Sequence, residues 1–144
     1  MAELKPTDTP GMDAAVAAVF DSYPAGIRLK LLGVRSLIFQ TALENESIGA
    51  LTETLKWGEP AYLTEATKSG STLRIAWKKS MPDQYGLYFN CRTTLVDTFR
   101  TLFPELVYEG NRAIVLSADE EPPWDSLGIC IAATLTYHRK QTHR

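Results

Sequence analysis

The spacing of apolar residues changes near residue 48, and this change constrains the fold more than any other feature of the chain. Between residues 27 and 38, apolar side chains recur at helical spacing. Later, residues 51–57, 73–78 and 84–90 alternate apolar and polar side chains, as half-exposed strands do. A chain with both patterns buries its helical stripe against one face of a sheet. The sequence therefore predicts an α+β fold, with helices packed against an antiparallel-rich sheet.

Helical spacing and flanking prolines predict four helices, over residues 12–22, 24–44, 94–103 and 124–137. In the second helix, Arg28, Lys30 and Arg35 lie off the apolar line. At the start of the third helix, Thr94 and Asp97 have the spacing of a capping box. Together with the strands, the predicted order is α-α-β-β-β-β-α-β-β-α.

The segment KWGEPAY, residues 56–62, predicts a corner between two strands at Gly58-Glu59-Pro60. We expect Trp57 and Tyr62 to anchor this corner in the core. Glu59 and the Tyr62 hydroxyl then remain as its candidates for function.

Two further connections are predicted from their composition. The segment TEATKSGST, residues 64–72, is rich in glycine and serine and is expected to be a mobile loop, either a lid or a tip. Residues 109–111, Glu-Gly-Asn, lie between two apolar runs and predict a hairpin turn.

The length of 144 residues fits one domain. We expect a flexible arm over residues 1–11, a single domain over 12–140 and a polar tail over 141–144. The net charge of −2 gives no strong attraction to nucleic acid or to an anionic membrane, so neither is an expected partner. With no apolar run of about 20 residues and no signal-peptide pattern, a cytoplasmic location is expected.

The segments LKWGEPAY, YGLYFN and YEGNRAIVL lie within an order of helices and strands that runs from Val16 to Arg139. These segments and this order resemble the YdhG-like family of small bacterial domains. The most specific matches are the Gly-x-Pro-x-aromatic segment at Gly58 and the Gly-Leu-Tyr segment at Gly86. The resemblance implies an α+β sandwich without an established shared reaction, and a role as a frataxin-like iron carrier, since one member has been described so.

The carboxylates of this chain give iron carriage little support. Iron delivery by a surface needs clustered oxygen ligands. The helices lack such a ridge, and the one acidic run, Asp119 to Glu121, precedes a helix start, where acidic residues are favourable anyway. No metal ligand and no cofactor is therefore predicted, and metal carriage is kept as an alternative.

A thiol-dependent enzyme is the second alternative. Cys91 lies just before a predicted helix, whose dipole would lower the pKa of the thiol, and its base would be His138 or His143. Cys91 and Cys130 lack CxxC spacing, so reduced thiols are expected and no catalytic residue is assigned.

A small-ligand binding or accessory module without enzymatic activity is the main prediction. Aromatic side chains with a few polar groups are typical of small-ligand sites, and a helix start at Thr94 with basic side chains nearby would suit an anion. The candidate site residues are Trp57, Glu59, Tyr62, Lys78, Tyr88, Asn90 and Arg92. The partner is an unidentified small molecule, and a homodimer through an exposed strand edge is a further possibility.

Overall fold

The structure is a computed structural model that describes residues 10–142, with side chains described up to Arg139. The expectations for residues 1–9 and 143–144 lie outside the described residues. The helices are α1 (Ala14–Asp21), α2 (Ala25–Leu43), α3 (Leu95–Leu102), α4 (Trp124–Leu135) and α5 (Tyr137–Thr142). The strands are β1 (Thr52–Lys56), β2 (Glu59–Leu63), β3 (Leu73–Ala76), β4 (Gln84–Tyr88), β5 (Val107–Glu109) and β6 (Ala113–Ser117).

The strands form one antiparallel sheet in the order β1-β2-β3-β4-β6-β5, which confirms the predicted α+β class. Side chains such as Ile75 and Leu87 point from one face into a core that they share with the buried residues of α1 to α4. The opposite face, which we call the open face, has a separate small cluster built from strand residues alone, namely Ala76, Tyr88, Ala113 and Val115. None of the described helices is long and apolar enough to cross a membrane.

A buried ion pair joins α2 to the first hairpin. Arg35 is 3% exposed, and its Nε and Nη2 donate to the two carboxylate oxygens of Glu53 at 2.6 and 2.9 Å. Nη2 also donates to the carbonyl of Pro10 at 2.8 Å, and the guanidinium lies 4.9 Å from the ring centroid of Phe39. The Tyr62 hydroxyl donates to Glu53 at 2.8 Å. Four segments of the chain therefore meet at one charge pair.

The surroundings of this pair set the ionisation of its members. Burial alone would lower the pKa of Arg35, but the hydrogen bond and the charge of Glu53 outweigh it, so the pKa is raised. Burial, reinforced by the Glu53 charge, also raises the pKa of Tyr62. The phenol of Tyr62 therefore remains a neutral hydrogen-bond donor, and the guanidinium of Arg35 remains charged.

The first hairpin turns one residue earlier than predicted. Lys56 pairs with Glu59, so the loop is Trp57-Gly58, and both residues have positive φ, +56° and +76°. Two positive φ values are what a type I′ hairpin turn requires. The expected corner at Gly58-Glu59-Pro60 is wrong, because Glu59 and Pro60 already belong to β2. The expected burial of Trp57 is also wrong, since a side chain in the turn lies outside the alternation of the strands and is 88% exposed.

The end of the segment of residues 64–72 is docked against α4. Ser69 is 1% exposed, and its hydroxyl donates to the carbonyl of Leu135 at 2.8 Å. The N–H of Ser71 donates to the carbonyl of Thr134 at 2.9 Å. A Cβ added to Gly70 would overlap the backbone of Leu135, so only glycine allows this approach. The expected lid is wrong for residues 69–71, whereas residues 65–68 are exposed, and for them the mobile tip stays a prediction.

The predicted closing helix over 124–137 corresponds to α4, which ends at Leu135, and the same contact accompanies the start of a separate short helix, α5, at Tyr137. The carbonyl of Ser69 accepts the N–H of His138 at 2.9 Å and that of Arg139 at 3.2 Å, so the helix restarts against the loop. The predicted capping box is also wrong. The Thr94 side chain makes no capping hydrogen bond, and its N–H donates to the Tyr137 hydroxyl at 3.1 Å.

We predict that Glu53→Gln lowers the free energy of unfolding by about 3–5 kcal/mol, because the variant leaves the buried Arg35 charge unpaired. Urea denaturation measures this change. The double variant R35M/E53Q is expected to recover part of the loss, since no unpaired charge remains. The exposed pair of Glu109 and Arg112, 3.7 Å apart, provides the control, and Glu109→Gln is expected to cost less than about 1 kcal/mol. A loss for E53Q as small as that control would contradict the role of the pair.

We predict that Gly70→Ala destabilises the fold by about 1–3 kcal/mol or more, because the methyl group meets backbone atoms rather than a flexible side chain. Gly26→Ala is the matched control. A Cβ at Gly26 has no neighbour within 4 Å, and alanine in a helix is favoured over glycine by about 1 kcal/mol. Equal denaturation midpoints for the two variants would show that the loop yields easily.

Candidate functional site

A pocket of about 260 Å³ lies on the open face beside the first hairpin. We call it the Trp57 pocket. It is lined by Lys56, Trp57, Thr72, Arg74, Tyr88, Phe89 and Asn90. It contains three of the seven candidate site residues, namely Trp57, Tyr88 and Asn90.

Tyr88 lies on the open face and belongs to its small cluster of strand residues. Its ring lies against the backbone of Gly86, where an added Cβ would come within 3.3 Å of a ring carbon. The Arg74 guanidinium and the Lys78 ammonium lie 5.5 and 4.6 Å from the ring centroid. Burial, with the charges of Glu109 and Glu59, raises the pKa of Tyr88 despite Arg74 and Arg112. The hydroxyl is therefore neutral at neutral pH.

The two cations that line the pocket differ in how far they are neutralised. Arg74 makes an ion pair with Glu59, which lies beside it on the open face. Lys56 is exposed and has no ion-pair partner among the described residues. Neither Asp nor Glu is among the described residues that line the pocket. Its one uncompensated charge is therefore positive, on Lys56.

The loop after β4 fixes the far wall of the pocket. The backbone N–H of Arg92 donates to Asn90 Oδ1 at 2.9 Å, and the N–H of Thr93 donates to the Asn90 carbonyl at 3.1 Å. With its oxygen accepting from Arg92, Asn90 keeps its amide NH₂ as a donor. Arg92 itself is exposed and is not among the residues that line the pocket. Its backbone positions Asn90.

The remaining candidate residues lie apart from the Trp57 pocket. Lys78 lines a second pocket, of about 270 Å³, that shares Tyr88 with it. Glu59 acts on the first pocket through Arg74. Tyr62 is fully buried on the core side, where its hydroxyl donates to Glu53. The candidate residues are thus divided between two pockets, a flanking ion pair and the core.

Sequence reasoning missed four of the pocket residues, namely Lys56, Thr72, Arg74 and Phe89. The signal was present in the strand alternation, because Lys56 and Arg74 occupy polar positions of β1 and β3. The missing information was the register. Arg74 pairs with Ala61, and Lys56 pairs with Glu59 on the other side of the same strand, which brings the polar positions together.

The alternatives find limited support in the described residues. Within residues 10–142, no group of three or more His, Cys, Asp or Glu side chains is placed to hold a metal ion. Cys91 is exposed, as a reactive thiol requires. His138 lies in α5, and His143 lies outside the described residues. The pairing of Cys91 with either histidine stays a prediction. At the start of α3, the N–H of Thr94 is already bonded to Tyr137, which weakens the case for an anion there.

Comparisons of the chain with protein-family models, with curated proteins and with solved structures find no match.

Proposed function

We propose that this protein is a binding module without enzymatic activity, and that its Trp57 pocket holds a small planar carboxylate. The observation that carries the proposal is the placement of Trp57, which is 88% exposed at a backbone position with φ of +56°. The charges and the size of the pocket then narrow the class of ligand.

Trp57 destabilises the fold at its position in the turn. The first position of a type I′ turn favours Asn, Asp or Gly, and a residue with a Cβ in the left-handed region costs about 1–2 kcal/mol. The exposed indole also gains little from burial. Local rules of this kind are broken most often at functional sites. A flat aromatic surface at the rim of a pocket is suited to stacking on a ring.

The charge of the pocket favours a single negative charge on the ligand. Arg74 is already neutralised by Glu59, so Lys56 is left to attract an anion, with the Asn90 amide as a neutral donor. One ammonium and one amide match a carboxylate better than a phosphate dianion, which would require further cations. The pocket volume of about 260 Å³ suits a molecule of one or two rings.

We predict that benzoate binds this protein and that the uncharged analogue benzamide binds at least about tenfold more weakly, the effect of about 1.4 kcal/mol for one charged contact. Saturation-transfer NMR and titration of tryptophan fluorescence measure the two affinities. Trp57→Asn is expected to abolish the fluorescence change and weaken binding, while raising the free energy of unfolding by about 1 kcal/mol because Asn tolerates positive φ. A variant that is more stable and yet fails to bind separates recognition from folding.

Lys56→Gln tests the charge, and Lys79→Gln is its matched control, since Lys79 is exposed and is not among the residues that line the pocket. We expect K56Q to reduce the preference for benzoate over benzamide, and K79Q to keep it. Equal binding of both probes to the wild type, or unchanged binding by W57N, would contradict the proposal.

The wider setting of the module belongs to the same proposal. Membership of the YdhG-like family, and with it a bacterial origin, is proposed from the resemblance of the sequence segments around Gly58 and Gly86. A cytoplasmic location is supported by the sequence pattern alone. A homodimer would use one of the sheet edges, β1 or β5, where strand hydrogen-bonding groups lack a neighbouring strand.

A further inference from the structure

A third pocket, larger than the Trp57 pocket, lies at the other end of β4. Its charged lining residues are acidic, whereas those of the Trp57 pocket are basic. Its volume is about 360 Å³, and it shares none of its lining residues with the Trp57 pocket. We call it the Tyr85 pocket. Four of its lining residues are acidic, namely Asp83, Glu105, Glu120 and Glu121. Of the described residues that line it, none is Lys, Arg or His.

The hydroxyl of Tyr85 is the unusual group of this pocket. Tyr85 is 2% exposed, and its hydroxyl is buried without a hydrogen-bond partner among the described residues. Such a group is less stable than a hydrogen-bonded one, because it has lost its contacts with water without gaining a partner. Burial, followed by the negative charge of Glu121, raises the pKa of Tyr85 to about 12, so the phenol is neutral at neutral pH. A neutral hydroxyl beside a carboxylate can accept from a cationic N–H and donate to the carboxylate.

The arrangement of the carboxylates favours an extended organic cation over a metal ion. They come from three parts of the chain, the turn after β3, the segment after α3 and the segment before α4, and all four residues are exposed. They do not converge, since no described group of acidic side chains is placed to hold a metal ion. Apolar residues, namely Leu106, Val115, Leu116 and Pro122, line the same pocket. Several negative charges in a pocket that also has apolar lining residues match ammonium groups joined by methylene chains.

We infer that the Tyr85 pocket binds an aliphatic polyamine, with one ammonium group donating to the buried Tyr85 hydroxyl and the others facing the carboxylates. The site is independent of the Trp57 pocket and of its proposed ligand.

The test uses the full chain with spermidine as the probe, measured by isothermal titration calorimetry at neutral pH and fixed ionic strength. Binding is also followed by the emission of Trp124, whose Nε1 donates to Glu121 at 2.9 Å. We expect Tyr85→Phe to weaken spermidine binding about tenfold, the usual loss of one hydrogen bond to a charged group. Since the hydroxyl has no partner within the described part of the chain, we expect the urea midpoint of Y85F to be equal to or higher than that of the wild type.

The role of the carboxylates is tested by comparing the double variant E105Q/E120Q with Glu46→Gln. Glu46 is the control, because it is an exposed acidic residue that is not among those lining the pocket. We expect the double variant to weaken binding at least about tenfold and E46Q to leave it unchanged. Magnesium chloride at equal ionic strength should not displace spermidine. Absent binding by the wild type, unchanged binding by Y85F, an equal loss in E46Q, or displacement by Mg²⁺ would each overturn the inference.

Discussion

The contact between Arg35 and Glu53 is the constraint on which the arrangement of helices and sheet depends. Transfer of two charges out of water costs several kcal/mol per ion, and the cost is offset only where geometry and further hydrogen bonds are good. Here Glu53 accepts two bonds from Arg35 and one from Tyr62, and Arg35 also reaches Pro10 and the ring of Phe39. A slip of β1 by one residue would turn Glu53 to the open face and leave Arg35 buried without its partner. The pair therefore fixes both the docking of α2 and the register of the first hairpin.

Fixing the register determines which side chains reach the open face. With Glu53, Leu55 and Tyr62 turned to the core, Lys56 and Glu59 turn outward, and Arg74 joins them through its pairing with Ala61. Elsewhere in the fold, the loop of residues 64–72 is hydrogen-bonded to α4 and α5 through Ser69 and Ser71. The helix-facing side is thus fully occupied, and the recesses described above lie on the open face and at the ends of the strands.

The order of elements was predictable from the sequence because helix and strand periodicities are local. The misplaced turn at Trp57-Gly58 was a local error of one residue, whereas other features of the fold depend on a partner far along the chain. Arg35 lies off the apolar line of α2, but it is buried because it pairs with Glu53, which is 18 residues away in the sequence. Residues 64–72 look flexible by composition, but Ser69 is held by Leu135, 66 residues away. In the site, aromatic Trp57 and Tyr88 could be identified by residue type, whereas Lys56 and Arg74 required the strand register.

Two features of the fold that run against stability lie in the pockets described above. Trp57 has a left-handed backbone conformation and a solvent-exposed ring, and Tyr85 has a buried hydroxyl without a partner in residues 10–142. Together they cost about 2–5 kcal/mol, a substantial part of the 5–15 kcal/mol that typically separates folded from unfolded chains. Asn at position 57 and Phe at position 85 would avoid both costs without disturbing the core. Residues without these costs exist for both positions, so the two costs are the observations on which the binding proposals for the two pockets rest.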